Sequence, residues 1–544
     1  MKKRRLLSMI LALAMLALAM SSLTACGGKT ETTASENDAE FLEYLKNAAY
    51  PLETDKVLTC WSYRGGTTYG EYEADELPYL KNYEEKTGVK IEWTFANTDV
   101  KQQFNLLVAS GDFPDMVSYM WGVSADFPGG PERAIADGYI STLDELIPVY
   151  APDINAYLEG NDIARRELKT DSGNYYYIPN YVTTKEVNGA VSNGYVFRKD
   201  WLDDLGLDLP ETIDDWYTTL KAFKEKKGAE APLSLQYSAL TRGITNPFDV
   251  SGGLFIKDGK VTHGAIEPGY LEFLKEMNKW FNEGILDRNI ATIDAKAVNA
   301  NILNNKSGAT HYWMSGMRNA LIAGREKDPN FDLAGVQFPV KNKGDMPKFG
   351  TRDAMIYNSG FAISKNSANK ELAMKLLNYG YTTEGRELML FGIEGETYTI
   401  ENGEYKYTEL ITNNPDGLSL NEAKAAYIRN TENIPIVSGY HDLRASYVAK
   451  DPYPEVDAAI EIWKKNNKDG VSFSNSIAPG PDETSEYAKL QTEITTYVSE
   501  MNLKFLVGEE PFENYDKYLA ELKKRGMDRY LEIAQKSYDR YIAR

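Results

Sequence analysis

Aromatic and polar side chains recur at the ends of the strand-like segments of this 544-residue chain. Trp and Tyr can cover the flat C–H faces of a sugar ring, and Asp, Asn and Arg can hydrogen-bond to its hydroxyls. The chain carries 37 Tyr and 8 Trp against 19 Phe, an excess that suits such a site. Because open α/β sheets bind ligands at the carboxyl ends of their strands, we predict ligand contacts there. The candidates are Trp61, Tyr63, Arg64, Tyr119, Trp121, Asn180, Tyr181, Trp313, Arg352 and Asp353. Each aromatic among them can instead be a core or hinge-packing residue.

Other site chemistries have weaker support in the sequence. His263, His311 and His441 lie far apart without the spacing of metal ligands, which disfavours a metal site or a Ser-His-Asp arrangement. Cys60 lies in an apolar run, so we interpret it as a buried core residue rather than a nucleophile. Residues 171–174 (Asp-Ser-Gly-Asn) lack the alternating ligands and closing Glu of a calcium loop, and we predict a tight turn. We therefore expect no cofactor.

The N-terminus has the order of a secretory signal. Four basic residues are followed by an uncharged, apolar run over residues 6–20, which is too short to span a membrane comfortably. The run leads to Leu-Thr-Ala-Cys at 23–26, which resembles a bacterial lipobox and predicts that Cys26 is lipidated. Residues 1–25 are then a lipoprotein signal peptide, and 26–55 an anchored, flexible tether at the outer face of the cell membrane. The alternative is an ordinary cleaved signal in which Cys26 has no role.

Predicted strands and helices, which must position the candidate residues, alternate along the chain. Apolar runs at 57–61 and 89–95 predict strands, and helical patterns follow each of them at 77–86 and 100–109. This alternation predicts an α/β fold with a largely parallel sheet. The roughly 490 residues beyond the tether are too many to pack around one hydrophobic core, so we expect at least two lobes.

Several helix boundaries can also be predicted. Thr212 and Asp215 have the spacing of a capping box at the start of a helix. Asp200 is expected to cap a strand-to-helix entry. Residues 110–114 can end one helix and turn the chain into a strand. The C-terminal stretch 487–541 is predicted to be helical, with a break near 508–511.

Four blocks in order resemble the family 1 extracellular solute-binding proteins, in their long Gram-positive lipoprotein branch. They are Asn-Leu-Leu-Val-Ala-Ser-Gly-Asp-Phe-Pro-Asp-Met at 105–116, Val-Phe-Arg-Lys-Asp-Trp-Leu-Asp-Asp-Leu-Gly-Leu at 196–207, the stretch from Gly-Phe-Ala-Ile-Ser at 360–364 to Gly-Ile-Glu-Gly at 392–395, and Lys-Phe-Leu-Val-Gly at 504–508 with Tyr-Asp-Arg-Tyr at 538–541. The blocks themselves are explained by scaffold roles better than by ligand contact.

The resemblance implies a two-lobed, periplasmic-binding-protein-like fold of type II, with two or three hinge crossings and the ligand in the cleft between the lobes. The first lobe would comprise 56–179 and 357–425, and the second 180–356 and 426–544 with the C-terminal helices. Such a protein is not an enzyme but the receptor of an ABC importer, which delivers its solute to a membrane permease. The resemblance also implies that Trp313 faces the sugar.

Three possibilities for the function remain open at this point. We expect a neutral oligosaccharide, while the same fold can bind a peptide, a polyamine or another small solute. A surface glycoside hydrolase would need two carboxylates flanking a sugar bond, and 80 acidic residues leave many such pairs. The net charge of −20 argues against a nucleic acid partner. A monomer is expected because each receptor docks alone.

Overall fold

The computed structural model describes residues 36–63, 76–122, 127–182, 191, 193–350, 356, 358–429, 436–437, 453–466, 472–474, 477–480 and 482–544. Arg64, Arg352, Asp353 and the predicted lipidation site Cys26 lie outside the described residues. The chain divides into two compact units, Met1–Ala48 and Ala49–Arg544. In the described part of the first unit lies α1 (Glu36–Asn47). None of the helices within the described ranges combines the length and apolar character needed to cross a membrane.

The second unit mixes helices and strands. Its strands are β1 (Val57–Tyr63), β2 (Lys90–Ala96), β3 (Met116–Tyr119), β4 (Ile178–Pro179), β5 (Tyr181–Val182), β6 (Asn193–Arg198), β7 (Leu254–Lys257), β8 (Lys260–His263), β9 (Ala309–Trp313), β10 (Leu333–Val336), β11 (Gly360–Ile363), β12 (Tyr398–Glu401), β13 (Glu404–Tyr407) and β14 (Ile436–Val437). Its helices are α2 (Pro78–Thr87), α3 (Val100–Ser110), α4 (Gly130–Ala136), α5 (Ile147–Tyr150), α6 (Pro152–Glu159), α7 (Asp162–Glu167), α8 (Lys199–Leu205), α9 (Ile213–Lys227), α10 (Tyr237–Leu240), α11 (Pro268–Asn282), α12 (Ala295–Leu303), α13 (Met314–Lys327), α14 (Lys370–Asn378), α15 (Thr383–Phe391), α16 (Glu409–Thr412), α17 (Leu420–Tyr427), α18 (Pro454–Trp463), α19 (Thr484–Val507), α20 (Tyr515–Lys524) and α21 (Met527–Ala543).

A five-stranded sheet, here called the large sheet, has the order β2-β1-β3-β11-β4. β1 runs parallel to β2 and β3, as the alternation of strands and helices predicts, while β11 is antiparallel to β3 and β4. The Asp115 carboxylate fastens the start of β3, because it accepts hydrogen bonds from the Thr59 backbone (2.9 Å) and the Ser367 hydroxyl (2.5 Å). Gly111, with φ of 70°, ends α3 just before it. These contacts confirm the scaffold role predicted for residues 110–114.

A second, small sheet has the order β10-β6-β9 and is antiparallel throughout. The prediction of a largely parallel sheet is wrong here, because the chain enters β6 beside the end of β9 and runs back along it. Leu233 extends the small sheet by a parallel bridge to Ala309. Helix α18 covers β10 and β6, and the Trp463 indole donates to the Tyr195 carbonyl (3.0 Å).

The start of α8 corrects one capping prediction. Asp200 does not cap the helix, whose N-cap Arg198 makes no side-chain capping bond. Instead, the Asp200 carboxylate pairs with the buried Arg198 guanidinium through two hydrogen bonds of 2.8 and 2.6 Å. This geometry satisfies a cation that is only 2% exposed. The capping box at Thr212 and Asp215, by contrast, is confirmed.

Three segments of chain pass between the two sheets, and their described parts pair with one another. β5 leads from β4 towards β6 and pairs in parallel with β14, Tyr181 opposite Ile436 and Val182 opposite Val437. Val182 also bridges Ile356, which lies between β10 and β11. β14 lies between α17, which contacts α2, and α18, which packs on the small sheet. The crossings therefore meet at one place.

The C-terminal helices end on the turn at residues 171–174. α19 stops at Gly508, where the predicted break falls, and α21 runs to Ala543. Gly173, with φ of 86°, donates to the Thr170 carbonyl and forms the predicted tight turn. The Asp171 carboxylate in that turn pairs with Arg540 (2.8 Å) and Arg544 (2.6 Å) of the chain's end.

Candidate binding site

Aromatic residues mark the carboxyl ends of β1 and β3, which lie side by side in the large sheet. β1 continues to Tyr63, so Trp61 and Tyr63 lie within the strand rather than after it. The Tyr119 ring lies edge-on to both, with centroid distances of 5.7 Å to Trp61 and 5.8 Å to Tyr63. Phe104 of α3 stacks on Tyr119 at 4.2 Å. Sequence-predicted residues from two strands thus form one aromatic cluster.

The aromatic residues at these strand ends differ in their exposure to solvent. Trp61 and Tyr119 are buried, and Trp121 is fully buried with its indole N–H donating to the Val117 carbonyl (2.8 Å). These placements fit the core-packing alternative for the three residues. Tyr63 is half-buried and keeps some accessible surface at the sheet edge. Ligand contact by any of them stays a prediction.

Asn180 and Tyr181 belong to the crossing segments. Asn180 is buried, and its side-chain amide donates to the Ser359 hydroxyl (3.3 Å) while its backbone carbonyl accepts from Arg429 (2.8 Å). Tyr181, half-buried in β5, lies in the pairing with β14. Both therefore sit where the chain passes between the sheets, and a ligand contact there remains predicted only.

Trp313 is the predicted residue with the largest accessible surface. It ends β9, and its side chain is 54% exposed. Its neighbour across the strand pair is the buried Asn193, the first residue of β6. The indole therefore offers a flat apolar face at the edge where the chain enters the small sheet.

His311 lies two residues before Trp313 and so faces the same side of the sheet. Its ring packs edge-on against Tyr195, with centroids 5.2 Å apart, and its Nε2 is buried with no hydrogen-bond partner in the described protein. Burial, and then the nearby Arg242 guanidinium, lower the pKa of His311 to about 4. The imidazole is therefore neutral near pH 7 and is available for hydrogen bonds rather than charge pairing.

The strand pairing places Tyr119 near one end of the crossing segments and Trp313 near the other. β4 is parallel to β3, so its exit into β5 lies at the edge that carries Tyr119. β6 begins beside Trp313, at the other end of that crossing. The return crossing ends at Gly360, which pairs with Tyr119. The crossings thus join the edge of the large sheet where β3 and β4 end to the edge of the small sheet where β9 ends and β6 begins.

A surface cavity of about 780 Å³ is lined by residues from 246–249 and 340–348. Asn246 on its wall donates to the carbonyl of Gly243, the residue after Arg242. A second cavity, of about 600 Å³, lies on the surface of α19 beside Arg525, away from the predicted residues. The first is of a size that suits a small ligand, although none of the predicted residues lines it.

Sequence reasoning did not select His311 or Arg242 for the site. The position of His311, two residues before Trp313 on one strand, is a signal that could have found it. Arg242 carries no such signal, because it follows α10 and its place beside the small sheet depends on long-range contacts such as the pairing of Leu233 with Ala309. That contact joins segments 76 residues apart.

Two sheets joined by three crossing segments, whose described parts pair with one another, are the architecture of a hinged binding protein. The chain belongs to the bacterial extracellular solute-binding protein family, whose profile matches residues 39–387. Membership in this family confirms the prediction of a solute-binding protein rather than an enzyme. Among the described residues, no group of three or more His, Cys, Asp or Glu could hold a metal ion.

Similar proteins cover nearly the whole chain. The fructooligosaccharide ABC transporter substrate-binding protein FusA of Streptococcus pneumoniae serotype 4 is 25% identical over 557 aligned positions, covering 97% of each chain. Lipoprotein LipO of Bacillus subtilis is 24% identical and covers 86% of this chain and 90% of its own. The crystal structure of alginate-binding protein AlgQ2 is 27% identical, with a TM-score of 0.67 over 90% of this chain and 100% of that one. These likenesses confirm the predicted two-lobed α/β fold of type II.

Proposed function

We propose that this chain is the oligosaccharide receptor of an ABC importer, held at the outer face of the membrane by a lipid on Cys26. The observation that carries the proposal is the exposed indole of Trp313, at the edge where the crossings join the two sheets. The similarity to FusA, described as a fructooligosaccharide receptor, and to AlgQ2, described as alginate-binding, supports the sugar class.

The paired crossings suggest how binding is converted into a signal. A solute that contacts Trp313 on one lobe and Tyr63 on the other stabilises the closed arrangement, because only that arrangement makes both sets of contacts. The hinge absorbs the change at β5, β14 and residue 356. The permease then recognises the closed form, and no covalent bond changes. In this proposal residues 56–179 and 357–425 form one lobe, and 180–356 and 426–544 the other.

The rest of the proposal concerns the mature protein. Cleavage before Cys26 leaves a lipidated N-terminus and a tether that ends where α1 begins at Glu36, and two or three acyl chains hold it stably. The receptor acts as a monomer. The similarity to LipO, described as a lipoprotein, supports the anchor.

A thermal-shift screen of residues 27–544 tests the solute class. Oligosaccharides, amino acids, peptides and polyamines are added singly, and a ligand at a hundred times its Kd should stabilise the chain by about 2.7 kcal/mol. We expect a shift with oligosaccharides alone. Trp313→Ala should remove that shift without lowering the melting temperature of the free protein, since the indole is exposed.

Leu106→Ala is the matched control, because Leu106 is 63% exposed on α3 and lies outside the proposed site. It should retain the full ligand-induced shift. A response to peptides or polyamines, with none to oligosaccharides, would keep the fold and reject the proposed solute. Equal responses in the wild type and Trp313→Ala would reject the proposed place of binding.

A further inference from the structure

We infer that Arg242, together with His311 and Trp313, forms a subsite for a carboxylate of the solute, so that the oligosaccharide is an acidic one built from uronate units. This inference rests on the proposed function and replaces the neutral sugar expected from the sequence. It gives the Arg242 guanidinium, beside the small sheet, a role in binding the solute.

Backbone and ring contacts fix the three residues beside one another. The Tyr195 hydroxyl donates to the Ala239 carbonyl (2.8 Å), and the Arg242 backbone N–H donates to the same oxygen (3.0 Å). Tyr195 also pairs in register with His311 and packs against its ring. Trp313 follows on the same face of β9. Arg242 therefore lies near His311, and His311 and Trp313 share one face of β9.

The Arg242 side chain has no acceptor among the described residues. It is exposed, and within the described ranges its guanidinium makes no ion pair, hydrogen bond or ring contact. A guanidinium presents five N–H donors in a planar fork that matches a carboxylate. The chain has 80 acidic residues, yet none is paired with this arginine in the described structure.

His311 and Trp313 complete the recognition of a uronate unit. The buried Nε2 of His311, which has no partner among the residues that the structure describes, can hydrogen-bond to a ring hydroxyl. Because this imidazole is neutral, the positive charge of the subsite comes from Arg242. The exposed face of Trp313 can cover the C–H face of the sugar ring. One charged, one polar and one stacking contact together fit a sugar acid.

Matched pairs of ligands test the charge directly. Residues 27–544 are titrated by calorimetry with trigalacturonate and trimannuronate, with their methyl esters, and with neutral kestose. We expect each acid to bind at least tenfold more tightly than its ester. Affinity for the acids should also fall between 50 and 500 mM salt, because the charged contact is solvent-accessible.

Arg242→Gln should weaken binding of the acids roughly 10- to 100-fold and remove the preference for the acids over the esters. Arg165→Gln removes the same charge from α7, where the exposed arginine pairs with Asp162, and should change neither affinity. Circular dichroism verifies that both variants fold.

Binding of kestose or the esters as tightly as the acids would overturn the inference and leave the proposed function standing. An Arg242→Gln variant that binds the acids as well as the wild type would also overturn it. If neither uronate binds, the inference falls. If peptides or polyamines bind and no saccharide does, the proposed function falls with it.

Discussion

Replacing Glu167 with Gln should stabilise the protein in a pH-dependent manner. Glu167 ends α7, and its Oε1 accepts hydrogen bonds from the hydroxyls of Ser474 (3.1 Å) and Tyr541 (3.4 Å). Burial raises the pKa of Glu167 from 4.5 to about 7, against the opposing effect of the two hydroxyls and of the Arg166 and Arg544 charges. Between these values the folded protein holds a proton that the unfolded chain releases.

The sign and size of the effect follow from this shift. Below pH 4.5 both states are protonated, so the stability that the raised pKa provides is fully present. As the pH rises to 7 that stability is lost, and above pH 7 the fold carries a buried carboxylate. At about 1.4 kcal/mol for each pH unit, the shift amounts to a loss of about 3 kcal/mol at pH 8. Glu167→Gln removes the titration and avoids the loss.

Urea unfolding followed by circular dichroism at pH 5 and pH 8 measures this. The gain in unfolding free energy of Glu167→Gln over the wild type should grow by about 2.5 kcal/mol from pH 5 to pH 8. Glu159→Gln, at an exposed carboxylate at the end of α6, should alter stability by less than about 0.5 kcal/mol at either pH. A gain for Glu167→Gln that is constant with pH, or larger at pH 5, would refute the reasoning.

Three further predictions concern the scaffold. Asp171→Asn weakens the contacts of this residue to Arg540 and Arg544 and should lower the unfolding free energy by about 1–3 kcal/mol, as measured by urea unfolding. The control Asp162→Asn, in an exposed ion pair, should lower it by less than about 1 kcal/mol. Gly194→Ala should destabilise by about 1–3 kcal/mol, because a Cβ there would lie 2.5 Å from the Trp463 ring, while Gly253→Ala meets nothing within 4 Å and should be tolerated. Cys60 is buried, and burial raises the pKa of its thiol, so a thiol reagent should label residues 27–544 only after denaturation.

Local patterns predicted the elements of this fold better than their arrangement. The strand at 57–61 and the capping box at Thr212 are set by neighbouring residues, and both are confirmed. The antiparallel small sheet was not predicted, because its direction depends on where the chain enters β6 after the crossing. Asp200 failed as a cap because a buried arginine two residues earlier binds its carboxylate more favourably than the helix end does.

Predictions for the candidate site were limited in the same way, because local sequence does not determine where a side chain packs. Trp121 follows a strand as a ligand-binding residue would, yet the chain turns back so that its indole reaches the Val117 carbonyl. Arg242 has no sequence signal, since its place beside His311 depends on long-range pairing of the small sheet. Trp313 was predicted at a strand end and lies exposed there, although its contact with a solute is still a prediction.

The most direct test of the account is whether a bound oligosaccharide closes the hinge. Small-angle X-ray scattering of residues 27–544 is recorded with and without a saturating oligosaccharide, with occupancy verified by calorimetry. The account predicts a smaller radius of gyration in the bound state, because the solute draws the sheet edges that carry Tyr63 and Trp313 together about the paired crossings. An unchanged radius of gyration at full occupancy would contradict it.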